Sequence, residues 1–266
     1  MRPNALKQKF QNKQQTIGSW CGIGSSYSTE LLAHAGFDTI VIDLQHGLVS
    51  PEQLIAMLQA ISASPAMPMV RVSQNDFAEI NKALDAGAYG VICPMIDTVA
   101  DAERFVAACR YPPRGNRSYG PARCLMYGGP DYYPGADDTI LKLAMIETPQ
   151  GLANVDAIAA VDGIDGLFIG PSDLSLALGV APGTDWRKDP MAGAIDRIQS
   201  TARKHGKLTG IFSPSLAFAQ DMQRRGIDYV SVGSDVGMLR TIAKEWAAAV
   251  RGESAAAAPP ARPTGY

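Results

Sequence analysis

Hydrophobic and polar positions repeat one rhythm along this chain. A short apolar or β-branched run is followed by a glycine-bearing or polar corner, then by a longer segment with helical spacing. The runs predict strands over residues 16–23, 39–45, 68–72, 90–96, 141–147, 166–173, 208–212 and 229–232. Helices are expected over 28–35, from the Ser50-Pro51-Glu52 start signal, from Asp76, and over 98–109, 189–205 and 236–250. Eight alternating units of this kind build a parallel sheet. A single-domain α/β fold, the (β/α)8 TIM barrel, is the leading expectation, with an open doubly wound sheet second. Glycine in Ala35-Gly36-Phe37-Asp38 and Arg225-Gly226-Ile227-Asp228 fits the left-handed cap that ends a helix.

Two segments break the rhythm. Residues 111–138, rich in Gly, Pro, Tyr and Arg, read as a long functional loop between the fourth helix and the fifth strand. Because it follows a helix, it starts at the bottom of a barrel, and reaching an active site requires crossing a subunit boundary. Residues 252–266 form an Ala/Pro-rich tail beyond a barrel domain of residues 1–251, expected to be disordered or draped on a neighbour.

Composition narrows the function classes. At 266 residues, with 46% hydrophobic and 19% charged residues, the chain fits one soluble barrel with a large core. A net charge of −2 offers no basic surface for nucleic acid or an anionic membrane. The four cysteines have no metal-ligand spacing, and Cys93 and Cys109, in apolar patterns, read as reduced core thiols. The lysine-rich start lacks an apolar signal core, and no apolar stretch reaches membrane-spanning length. A cytoplasmic enzyme or binding protein is expected.

Strand ends converge on one mouth of a barrel. Collecting them gives Trp20, His46, Arg71, Glu147, Asp173 and Ser213. Glu147 and Asp173 each end a buried apolar run, where a carboxylate is costly unless a cation meets it; the pair suggests a hard divalent ion. His46 is a candidate general base, against a histidine bonded to its own loop. Arg71, inside an apolar strand, needs an anion: a substrate oxygen, or a structural pair with Asp43 or Asp85. Asp85, near a helix end in Ala83-Leu-Asp-Ala-Gly87, reads either as a surface carboxylate or as one that fixes a histidine tautomer. The turn Gly170-Pro171-Ser172-Asp173 offers the amides of Ser172 and Asp173 to a carboxylate; Asp173 as a simple helix cap is the alternative. No lysine lies among the strand ends, which argues against Schiff-base chemistry.

In this order, the residues resemble the HpcH/HpaI aldolase family, the metal-dependent (class II) pyruvate aldolases. The resemblance runs from Ile17 to about Trp246 and rests on Gly-Ser-Trp-Cys-Gly from 18, Tyr27-Ser-Thr-Glu-Leu31, Ile42-Asp43, His46, Tyr111-Pro-Pro113, Ile146-Glu-Thr148 and Phe168-Ile-Gly-Pro-Ser-Asp-Leu-Ser175. It implies a barrel assembled as a homohexamer, a trimer of dimers whose subunits exchange the last helix. It also implies reversible cleavage of a 4-hydroxy-2-oxo acid, through an enolate, to an aldehyde and pyruvate or a related 2-oxo acid such as hydroxypyruvate. By matching position, Glu147 and Asp173 would bind Mg²⁺, Mn²⁺ or Co²⁺, His46 with Asp85 would form the base dyad, and Arg71 would stabilise the enolate. The Ser172 and Asp173 amides would hold the pyruvate carboxylate, with Trp20, Arg117 and Arg123 as further substrate-recognition candidates. Gln45, Met145 and Ser118 depart from residues common in relatives, where glutamate, glutamine and glycine stand. Oxaloacetate decarboxylation, another carbon–carbon lyase or synthase reaction, and metabolite binding without catalysis are the alternative functions.

Overall fold

The computed structural model describes residues 1–181 and 185–252. Eight parallel strands close into a barrel in chain order: β1 (Thr16–Cys21), β2 (Thr39–Asp43), β3 (Met67–Arg71), β4 (Gly90–Cys93), β5 (Leu141–Ile146), β6 (Gly166–Ile169), β7 (Leu208–Ser213) and β8 (Tyr229–Ser234). The strands are almost wholly buried and rich in Val, Ile and Leu, as strands covered on both faces should be. Closure by β8 against β1 selects the barrel over the open sheet.

The helices start where short polar side chains satisfy free amides. Ser25, Ser50, Asp76, Thr98, Ser215 and Ser234 cap α2 (Ser26–Ala33), α3 (Pro51–Ser62), α4 (Phe77–Asp85), α5 (Val99–Cys109), α12 (Leu216–Arg224) and α13 (Asp235–Val250). Between β5 and β7 run α8 (Pro149–Ala153), α9 (Val155–Ala159), α10 (Pro171–Ala177) and α11 (Met191–Lys204). The segment read as a long loop is not structureless: it folds into α6 (Arg123–Gly128) and α7 (Tyr132–Thr139). These helices bury Cys124, Tyr127, Tyr132 and Ala136, an apolar face that the Gly and Pro content disguised. Of the expected tail, only Gly252 lies among the described residues.

A helix absent from the sequence reading, α1 (Ala5–Gln11), covers the bottom of the barrel. Asn4 caps it and donates to the carbonyls of Tyr89 and Thr139 at 3.0 and 2.9 Å. Lys7 reaches Asp165 at 2.9 Å, and Asp165 also meets the buried Lys142 of β5 at 3.2 Å. Inside the barrel, Gly18 makes room for the bond from Thr39 Oγ1 to the Tyr229 hydroxyl: a Cβ there would lie 2.3 Å from Thr39 Oγ1. Among the described residues, no helix is long and apolar enough to cross a membrane.

Candidate active site

The carboxyl ends of β1, β2, β3 and β5 bring Trp20, Asp43, Arg71 and Glu147 to one mouth. Asp43 and Arg71 are direct partners in the β2–β3 register. Arg71 donates through Nε and Nη2 to the two Asp43 oxygens at 2.8 and 2.6 Å, and both residues are buried. Its guanidinium carbon lies 4.5 Å from the centre of the Trp20 ring, so the cation rests on an aromatic face. Trp20 is pinned in turn by Phe168 and Phe212, with ring centres 5.8 and 5.5 Å away. The structural pair with Asp43 therefore exists, and it fixes the guanidinium at the mouth.

His46 lies three residues beyond β2 rather than at its end, on the exposed rim. The Asp43 carboxylate organises this turn by accepting from the Gln45 amide at 3.1 Å. Partial loss of water, then the Arg71 charge, hold the His46 imidazole below its usual pKa, against the pull of Asp43 and Asp173. Neutral imidazole at pH 7 is the form that can accept a proton.

Glu147 follows β5 and is 2% exposed. Its Oε1 accepts from the Met95 amide at 2.9 Å. Its Oε2 has no hydrogen-bond partner among the described residues. Burial is the main cause that pushes the carboxyl up to about 7, and the Asp173 charge adds to it. A buried carboxylate with an open oxygen next to a second carboxylate is the donor set a hard divalent ion requires. Gly170 keeps that oxygen accessible, since a Cβ there would sit 2.4 Å from Oε2. Asp173 is exposed in the first turn of α10, where the Ser172 and Asp173 amides precede the first intrahelical bond, from Leu174 N to the Gly170 carbonyl. Among the described residues, no group of three or more His, Cys, Asp or Glu is placed to hold an ion.

A cavity of about 320 Å³ opens beside His46, walled by Trp20, Ile23, Leu48 and Val236. Asp235, unremarked in the sequence, shapes this wall by accepting from the Gly22 and Ile23 amides at 2.9 and 3.2 Å. Its only sequence signal is an acidic residue directly after a strand-end serine.

Four expected residues are not brought to the mouth: Asp85, Arg117, Arg123 and Ser213. Asp85 ends α4 at the bottom of the barrel, where Arg117 donates to it at 2.8 Å. Within one chain it cannot pair with His46, because a helix that leads back into a strand ends on the face opposite the strand ends. Arg117 is itself buried against the Tyr111 ring and the Tyr132 hydroxyl. Arg123 donates to the Ala86 and Leu58 carbonyls and lines a separate cavity of about 340 Å³ with Arg2 and Tyr127. Ser213 is buried, but strand alternation with the inward Phe212 turns it toward the helices.

Comparison with known proteins agrees with this architecture. The family model for HpcH/HpaI aldolase/citrate lyase matches residues 16–241. The chain belongs to the HpcH/HpaI aldolase/citrate lyase family. The hydroxypyruvate/pyruvate aldolase of Rhizorhabdus wittichii is 40% identical over 242 residues, covering 91% of this chain and 96% of that protein. The 5-keto-4-deoxy-D-glucarate aldolase of Escherichia coli is 40% identical over 250 residues, with coverage of 92% and 96%. A crystal structure of an HpcH/HpaI family protein from Burkholderia cenocepacia J2315 superposes with a TM-score of 0.87 at 32% identity, covering 93% of this chain and 99% of the other. With aldolases as relatives over nearly its whole length, this HpcH/HpaI family member is an enzyme of the carbon–carbon lyase class.

Proposed function

We propose that the chain reversibly cleaves a 4-hydroxy-2-oxo acid into an aldehyde and pyruvate, or a related 2-oxo acid such as hydroxypyruvate, in the cytoplasm and with a divalent cation. One observation carries this reading: the buried Glu147 carboxylate, with Oε2 open, beside Asp173 and close to Arg71. Glu147 and Asp173 would hold Mg²⁺, Mn²⁺ or Co²⁺, which supplies electron withdrawal from the 2-oxo group when bound.

The remaining chemistry belongs to the chain. The Ser172 and Asp173 amides orient the substrate carboxylate at the positive end of α10. Arg71, held rigid by Asp43 and Trp20, faces the negative charge that develops on the 2-oxo oxygen as the C3–C4 bond breaks. His46, neutral near pH 7, takes the proton of the C4 hydroxyl, and a proton then goes to C3. Trp20 forms the floor of the cavity that receives the aldehyde portion. Asp85 and Arg123 would serve a site only across a subunit boundary, so a homo-oligomer, a hexamer built as a trimer of dimers, is part of the proposal.

The experiment is pyruvate release from a panel of 4-hydroxy-2-oxo acids after EDTA treatment, with Mg²⁺, Mn²⁺ or Co²⁺ added back singly. Cleavage is expected to vanish with EDTA and return with a cation. Full activity after complete removal of divalent ions would sink the mechanism.

A further inference from the structure

Met95 follows Pro94 just beyond β4 and holds a left-handed backbone, with φ at 54°. Residues carrying a Cβ disfavour that region. The Met95 side chain is 51% exposed, so burying the thioether does not account for the turn. What the turn does is aim an amide. Met95 N donates to Glu147 Oε1 at 2.9 Å, and the next amide, Ile96 N, donates to the Met145 carbonyl of β5 at 3.3 Å. Further along, Asn154 Nδ2 donates to the Asp97 carbonyl at 2.7 Å, and the Thr148 hydroxyl bonds the Asp97 carboxylate. Residues on both sides of Glu147 thus clamp the turn, which is how an unfavourable backbone conformation persists.

Glu147 Oε2, by contrast, has no hydrogen-bond partner among the described residues, and Gly170 leaves it room. We infer that Met95 is a positioning residue: its left-handed turn occupies one Glu147 oxygen with a backbone amide, so that the other alone faces a divalent cation. This rests on the cation-site reading above. The role belongs to the backbone, so the residue types tolerated at 95 follow from their ease in the left-handed region.

The test is Mn²⁺ binding by the full chain, read by calorimetry and by the Mn²⁺ electron paramagnetic resonance signal. The variants are Met95→Gly, Met95→Asn, Met95→Ala and Met95→Val, with Glu147→Ala alongside. Glycine and asparagine enter the left-handed region readily and are expected to bind Mn²⁺ within about twofold of wild type, or tighter. Alanine keeps the backbone without the thioether and should stay within about threefold. Valine, stiff and β-branched, should weaken binding by about tenfold or more. Equal affinities across all four variants, or an alanine loss matching the valine loss, would overturn the inference.

If Met95→Val does not fold, hydrogen exchange at the Met95 amide decides. It should quicken by about tenfold or more in Glu147→Ala while the β4 amides keep their protection. Unchanged exchange at Met95 overturns the inference. Mn²⁺ binding retained in Glu147→Ala would instead remove the cation site itself. Loss there, with unaltered affinity in the Met95 series, removes only the positioning role.

Discussion

At Glu147, burial and the proposed cation would act in opposite directions on one proton. In the ion-free chain the folded carboxyl titrates near 7, above its ordinary value of 4.5, so the native state holds the extra proton between those limits. Its stabilising contribution is complete below pH 4.5 and is lost as pH rises through 7, about 3 kcal/mol in all. Denaturant unfolding in EDTA at pH 5 and pH 8 should reveal this loss, and Glu147→Gln should flatten it. Beside it, Gly170→Ala would place a methyl within 2.4 Å of Oε2 and is expected to weaken cation binding while leaving the barrel intact by circular dichroism. His46→Ala should lower kcat by roughly 100- to 10,000-fold, the usual worth of a general base, with little change in Mn²⁺ affinity. Because burial and Arg71 depress the imidazole, the acid limb of the kcat/KM profile should fall below pH 6.5.

Among the elements, β2 and β3 make the decisive pairing, since their register sets Asp43 against Arg71. Asp43→Ala would strand a buried guanidinium. Stability should fall by about 3–5 kcal/mol, read by urea unfolding, with activity falling in parallel. The strands were legible because doubly covered β-strands are continuous apolar runs, and the helix starts because Ser50, Asp76 and Thr98 carry capping side chains. Four features were not legible. Helix α1 has a polar, lysine-rich sequence with Leu6 as its buried apolar residue, and Asn4 and Lys7 anchor it through bonds to residues more than 80 positions away. Helices α6 and α7 lie in a segment whose Gly and Pro imitate a loop. Asp85 reads at a helix end as a surface carboxylate or a histidine partner, and chain direction sends that end to the face opposite His46. The backbone amide of Met95 has no side-chain signature at all.

For the whole molecule, periodicity gave the barrel and the order of its units, while ring closure required coordinates. Helix α13 leaves Leu239, Trp246 and Val250 at 64, 70 and 90% exposure, an apolar face suited to the expected oligomer. Trp246→Glu should lower the sedimentation mass if that face joins subunits. At the base, Asn4 and Lys7 fasten α1 across the strand starts, and Lys142 lies sealed behind them. Among the described residues, the base of the barrel is thus covered, and the cavity beside His46 opens at the other end. In the proposed mechanism the 2-oxo acid would sit against the buried Glu147 and the aldehyde nearer the exposed His46. That arrangement would release the aldehyde first and the 2-oxo acid last, so added pyruvate should compete with the substrate, whereas added aldehyde should not.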